Sequence, residues 1–221
     1  MTEPLRLFLS GPAGSGKTEV ARLLQQRHGF ARVSLGDLCR EECVRRGWLQ
    51  DRGHLQRAGD LLRAGYPSGL AALALITVRD LRGPVVIEGV RLGAEAGYFR
   101  ARGVIGVSVV APQALRAARL RARDGSDRVP DHSTEREAGS LPADLRIQND
   151  HEDRDALCRQ VRVALGRAVI LQAERRGRVR DLGLSPAGLA AVRRHGDDLD
   201  RIARSGARAR RPSRDRAGLE R

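Results

Sequence analysis

Short runs of large apolar residues, each followed by an amphipathic or polar stretch, recur along this chain. Leu5-Arg6-Leu7-Phe8-Leu9 reads as a short buried strand, and Glu19 to Arg27 as a helix with Val20, Leu23 and Leu24 on one face. Ala31 to Leu35 reads as a second strand with Val33 and Leu35 on the same side, and Gly36-Asp37 opens a helix that runs through Arg46. The chain turns around Asp51-Arg52-Gly53. Two helical stretches follow, His54 to Ala64 and Ser68 to Arg82, separated at Gly65-Tyr66-Pro67 and closed by Gly83-Pro84. Val85-Val86-Ile87, ending in Glu88-Gly89, is a continuous apolar run of the kind a buried parallel strand requires. Gly93 to Arg102 reads as a helix, Val104 to Val110 as another buried strand, and Pro112 to Arg123 as the next helix. Residues 124–142 are polar and read as a loop or lid. Leu145 to Asn149 is a last short strand, before a long helix from Asp153 to Arg175. Strands alternating with helices predict an α/β fold, a five-stranded parallel sheet with crossover helices on both faces. Ligands of such sheets bind beyond the carboxyl ends of the strands.

The first strand and helix flank Gly11-Pro12-Ala13-Gly14-Ser15-Gly16-Lys17-Thr18, which fits the phosphate-binding loop pattern of glycine, four residues, then Gly-Lys-Thr. Small residues at Gly11, Ala13, Gly14, Ser15 and Gly16 let successive backbone N–H groups curl around phosphate oxygens at a helix N-terminus. Lys17 is placed to reach the β- and γ-phosphates of ATP, and the Thr18 hydroxyl to hold Mg²⁺. Of 41 basic residues Lys17 is the single lysine, so arginine serves at every other basic position while a compact ammonium is kept at this one.

Composition adjusts this picture in three ways. With 41% hydrophobic but only 3% aromatic residues, the core is built from Leu, Val and Ala. Cys39, Cys43 and Cys158 have no spacing that implies a disulfide framework or a zinc site, and read as buried or half-buried thiols. The net charge of +14 is concentrated late: residues 175–221 carry 14 arginines against 6 acidic residues. This divides the chain into a domain at 1–174 and a basic extension at 175–221. In the extension, Leu189, Val192, Leu199 and Ile202 mark one amphipathic helix, and residues 206–221 are too polar to bury a core. The extension argues only for non-specific attraction to nucleic acid, which leaves an ATP-binding or ATPase regulatory protein with a nucleic-acid-attracted basic tail as an alternative to an enzyme that transfers phosphate. No apolar run of about 18 residues and no signal-peptide pattern follow Met1, so no membrane partner and a cytoplasmic location are expected.

Three further constellations carry chemistry. Asp37 and Arg40 open the second helix, where an arginine fork suits a phosphate and Asp37 suits either helix capping or proton abstraction from a hydroxyl. Glu88 ends an apolar strand, where a carboxylate needs solvent or a cationic partner such as Mg²⁺ or Lys17. Arg116, Arg119 and Arg123 fall on one helical face; like charges so placed are either solvated or face a polyanion. Phosphoryl transfer uses arginines of this kind, and Arg119 and Arg123 are the strongest catalytic candidates beside Lys17.

These segments resemble the P-loop nucleotide kinase clan that includes adenylate kinase and dephospho-CoA kinase. Ser34-Leu35-Gly36-Asp37-Leu38-Cys39-Arg40 resembles the Ser/Thr-x-Gly-Asp-x-x-Arg acceptor segment of nucleoside monophosphate kinases. Glu88-Gly89-Val90-Arg91 resembles their strand-end Asp-Gly-x-Arg, with Glu in place of the usual Asp. Ala143 to Asp150, with Leu157 and Val161, is similar to the Ala-Asp-x-x-Ile-x-Asn segment that ends the sheet in dephospho-CoA kinases, close to the adenine. The resemblance covers residues 4–167 and implies a three-layer P-loop fold with a short lid. It also implies an ATP-dependent, Mg²⁺-using kinase acting on a nucleotide-like acceptor. In that reading Asp37, Arg40 and Arg91 bind the acceptor, Thr18 and Glu88 attend the metal, and the acceptor is a nucleoside monophosphate or, with Asp37 as base, a hydroxyl compound such as dephospho-CoA.

Overall fold

The computed structural model describes residues 4–66, 68–124, 133–150 and 153–195. Five strands, β1 (Arg6–Ser10), β2 (Ala31–Ser34), β3 (Val85–Glu88), β4 (Ile105–Val110) and β5 (Leu145–Gln148), form one parallel sheet in the order β2-β3-β1-β4-β5. The connecting helices are α1 (Lys17–His28), α2 (Leu35–Arg45), α3 (Arg52–Gly65), α4 (Gly69–Thr77), α5 (Gly93–Ala101), α6 (Gln113–Asp124), α7 (Ser133–Ser140), α8 (Arg154–Arg175) and α9 (Pro186–His195).

Strand alternation divides the core into two layers. Leu7, Leu9, Val86, Val107, Val109 and Ile147 pack beneath α1 and α8. Phe8, Val85 and Ile87 face the opposite side, with Cys39, Ala58, Leu70 and Phe99. Phe8 and Phe99 stack with centroids 5.6 Å apart. A Cβ added to Gly106 would lie 2.6 Å from Phe8 Cζ, so the glycine makes room for the ring.

Local chemistry sets the element ends. The second helix begins at Leu35, one residue before the expected start, because the Asp37 N–H donates to Ser34 Oγ at 3.2 Å and makes Ser34 the cap. Helix α4 stops at Thr77, short of the expected Arg82, with the Thr77 hydroxyl donating to the Leu73 carbonyl. On α2 the buried Glu42 accepts from Arg45 at 2.7 and 2.8 Å and from Arg46, and these bonds hold its carboxyl down at about 2. Cys39, Cys43 and Cys158 are buried free thiols.

Asp144 ties three elements together just before β5. Its Oδ2 accepts the Gly106 N–H at 2.8 Å, while Oδ1 accepts from Arg100 at 3.3 Å and Arg175 at 2.5 Å. The expected lid at 124–142 is not a loop throughout: Ser133–Ser140 form helix α7. That helix docks through its C-terminal half. Ala138 is buried, the Gly93 N–H at the start of α5 donates to Glu137 Oε1, and Gly139 abuts Pro12. Residues 125–132, including Arg128, and the side chain of Arg136 lie outside the described residues. Beyond 175, a 3-10 turn (Val179–Leu182) and α9 pack against α8. Leu199, Ile202 and the rest of 196–221 lie outside the described residues. Among the described residues no helix is long and apolar enough to cross a membrane.

Candidate functional site

Between the end of β1 and the start of α1, the loop adopts a backbone that glycine permits: φ is 134° at Gly11, 76° at Gly14 and 95° at Gly16. Space excludes side chains there as well. An added Cβ would meet the Val109 carbonyl oxygen at 2.1 Å from Gly11, the Arg116 carbonyl oxygen at 2.7 Å from Gly14, and Asn149 Nδ2 at 2.1 Å from Gly16. Lys17 folds over the loop, and its Nζ donates to the carbonyls of Gly11 at 2.7 Å and Pro12 at 2.8 Å. Thr18 is exposed on the first turn of α1. Ser15 is fully buried, and its Oγ has no hydrogen-bond partner among the described residues.

Three side chains from the segments that follow β4 and β5 brace this loop. Asn149, directly after β5, donates from Nδ2 to the Ser15 carbonyl at 2.9 Å. Arg119 of α6 donates to the Asn149 carbonyl and to Asn149 Oδ1, both at 3.4 Å, and Arg116 donates to the Ala13 carbonyl at 3.4 Å. The structure therefore brings Arg119 to the phosphate loop together with Arg116, which the helical spacing had placed on the same face. The Arg123 side chain lies outside those described. Asn149 was readable only as part of a family-like segment; its contact with Ser15 spans most of the domain.

On the other side of β1, Asp37 and Arg40 form an ion pair with each other, with side chains 49% and 51% exposed. Arg91 is exposed, and its backbone N–H donates to Glu95 Oε2 at 3.2 Å. Glu95, only 2% exposed, also accepts from the Leu92 N–H at 3.4 Å and from Arg63 Nε at 3.2 Å. This carboxylate thus fixes the turn that presents Arg91. Sequence reasoning missed it, although Glu at the third position of a helix after a strand-end turn is a capping signal. Burial raises the Cys39 thiol above its ordinary range, with Arg63 acting against that rise.

Glu88 is 5% exposed, and the cationic side chain it pairs with is Arg32 rather than Lys17. Arg32 of β2 donates to Glu88 Oε1 through Nε at 2.6 Å and through Nη2 as well, while the described bonds of Lys17 go to loop carbonyls. Among the described residues no group of three or more His, Cys, Asp or Glu side chains is assembled for a metal.

Residues 7–139, from β1 through α7, match the family described as an AAA domain, AAA_18. The chain belongs to that family. Among its relatives is a "UPF0200 protein" of Thermococcus gammatolerans, 38% identical over 129 residues that span 55% of this chain and 67% of the relative. Solved structures similar to this AAA-domain chain include TT1252 from Thermus thermophilus, with a TM-score of 0.54 at 22% identity over 75% of this chain and 98% of that one. A gluconokinase from Sinorhizobium meliloti 1021 aligns with a TM-score of 0.52 at 16% identity, over 80% and 98%. The fold is that of the P-loop kinases.

Proposed function

We propose that this protein is a cytoplasmic phosphotransferase that binds Mg²⁺·ATP on residues 11–18 and transfers the γ-phosphoryl group to a nucleotide-like acceptor. The observation that carries this reading is the phosphate loop itself. Three glycines with positive φ shape a backbone concavity at the N-terminus of α1, with an ammonium folded over its rim. Its donor set fits a nucleotide triphosphate. Thr18 is exposed where a metal hydroxyl ligand is needed, and Mg²⁺ is typically held by few protein ligands plus phosphate oxygens. Thr18 and Glu88 are the residues to attend that ion. When bound, Mg²⁺ neutralises charge on the β- and γ-phosphates.

The chain's own groups supply the rest. Lys17 follows the γ-phosphate, Arg119 beside Asn149 neutralises charge on the donor, and Arg123 extends the same helical face. Arg40 and Arg91 hold the acceptor beyond β2 and β3. A nucleoside monophosphate, whose phosphate is already nucleophilic, is the acceptor we favour. A hydroxyl acceptor is the second reading: Asp37, half exposed and paired with Arg40, is a carboxylate positioned to take its proton.

The test is ADP release from Mg²⁺·ATP with nucleoside monophosphates, with dephospho-CoA, and with no acceptor, using Lys17→Ala as the blank. Stimulation by one acceptor that is lost in the variant is expected. Turnover indifferent to every acceptor, or no turnover despite ATP binding, overturns the kinase reading.

A further inference from the structure

We propose that Arg32 is a positioning residue for Glu88, a cross-strand clamp that fixes one carboxylate oxygen and orients the other toward the metal side of the phosphate loop. The proposal rests on the reading of residues 11–18 as a Mg²⁺·nucleotide site. Strand alternation puts Glu88 on the same face as Val86, the face covered by α1. The register Phe8↔Ile87 sets Glu88 level with Leu9, two residues before the loop begins. Ala31 and Val33 pack into the opposite layer, so Arg32 projects onto the same face as Glu88. The register Ser34↔Glu88 places Arg32 two residues back along β2.

The geometry fits a Glu at this position. The guanidinium directs both Nε and Nη2 at Oε1, whereas no described residue donates to Oε2. An aspartate, one methylene shorter, would withdraw the carboxylate from an arginine two residues back on the edge strand. The longer acid and the arginine are thus two halves of one device. Arginine keeps its charge at all relevant pH, so the clamp pairs a buried carboxylate with a permanent cation without occupying both its oxygens. Outer groups that orient a ligand in this way tune metal affinity.

The test measures affinity for a fluorescent ATP analogue in Mg²⁺ and in EDTA, together with the melting temperature of the nucleotide-free chain, for the wild type and for Arg32→Ala, Arg32→Lys, Glu88→Gln and Arg32→Ala/Glu88→Gln. Losing an outer-shell partner typically costs about 10–100-fold in metal affinity, so Arg32→Ala should reduce the Mg²⁺-dependent gain in nucleotide affinity by about tenfold. Its affinity in EDTA should be unchanged, and the double variant should be no weaker than Glu88→Gln. Arg32→Lys, which keeps the charge but not the fork, should retain the fold and recover only part of the gain, keeping the question decidable if Arg32→Ala does not fold. A wild type with a Mg²⁺-dependent gain that both Arg32 variants retain in full overturns the clamp and leaves the nucleotide site standing. Equal losses in Mg²⁺ and EDTA also overturn it. A wild type that binds no nucleotide, or binds with no Mg²⁺ gain, overturns the clamp and the nucleotide-site reading together.

Discussion

Replacing Asp144 by alanine should destabilise the domain while leaving the nucleotide site intact. The side chain is 6% exposed and serves the Gly106 N–H, Arg100 and Arg175 at once. Truncation orphans a buried backbone donor, a loss of about 1–3 kcal/mol. The arginines are 41% and 34% exposed, so water recovers much of their solvation, and each lost ion pair adds about 1 kcal/mol or less. The total is about 1–5 kcal/mol, which for a chain of this size lowers the melting temperature by roughly 2–20 °C. Asp144→Asn keeps an acceptor for the Gly106 N–H and should lose about half as much or less. Thermal and urea unfolding followed by circular dichroism measure both variants, with labelled-ATP affinity read well below the transition. Asp144→Ala within about 1 kcal/mol of wild type, or Asp144→Asn as damaging as alanine, would refute this role for Asp144. Unchanged stability with lost ATP affinity would instead place Asp144 in the nucleotide site.

Glu42 gives a pH signature. Its folded pKa of about 2 lies below the ordinary 4.5, because Arg45 and then Arg46 hydrogen-bond the ionised form. The resulting stabilisation is complete above pH 4.5 and disappears as pH falls through about 2. Acid unfolding of Glu42→Gln should therefore be less steep across that window than that of the wild type, and parallel curves would count against the assignment. Gly16→Ala adds a Cβ 2.1 Å from Asn149 Nδ2 on a residue with φ of 95°. The left-handed backbone alone costs about 1–2 kcal/mol for a residue with a Cβ. Both the melting temperature and ATP affinity should fall, the latter at least tenfold; wild-type affinity would show that Asn149 does not shape the loop.

Much of the fold was legible because a parallel sheet covered on both faces writes its strands as apolar runs. Val85-Val86-Ile87 and the stretch to Val110 are examples, and the phosphate loop announced itself by glycine spacing. What escaped depends on contacts between distant residues. In Ser133–Ser140 the one buried side chain among those described is Ala138, so no apolar stripe betrays the helix, which is held by Gly93 and Pro12 from elsewhere in the chain. Leu35 looked like a strand residue because it is apolar and follows Val33 at strand spacing; the Ser34 cap decided otherwise. The need of Glu88 for a cation was readable, but its donor sits on an edge strand 56 residues away in sequence. Likewise Asn149 and Ser15 are 134 residues apart, beyond any local pattern.

The sheet order also bears on how the chain is made. β1 is synthesised before the other described strands yet lies at the centre, between β3 and β4. Its hydrogen-bonding edges are matched only when Val85 and then Ile105 become available. Pairing over such sequence separations gives a high contact order, and the loop entropy of closing it slows folding. On the ribosome, Leu7, Phe8 and Leu9 emerge with both strand edges open and stay so while α1, β2 and helices α2 to α4 are translated. Exposed apolar edges of this kind are where nascent chains aggregate. The interval between the exit of β1 and that of β3 is therefore the period of greatest demand on chaperones, and slower translation between them lengthens it.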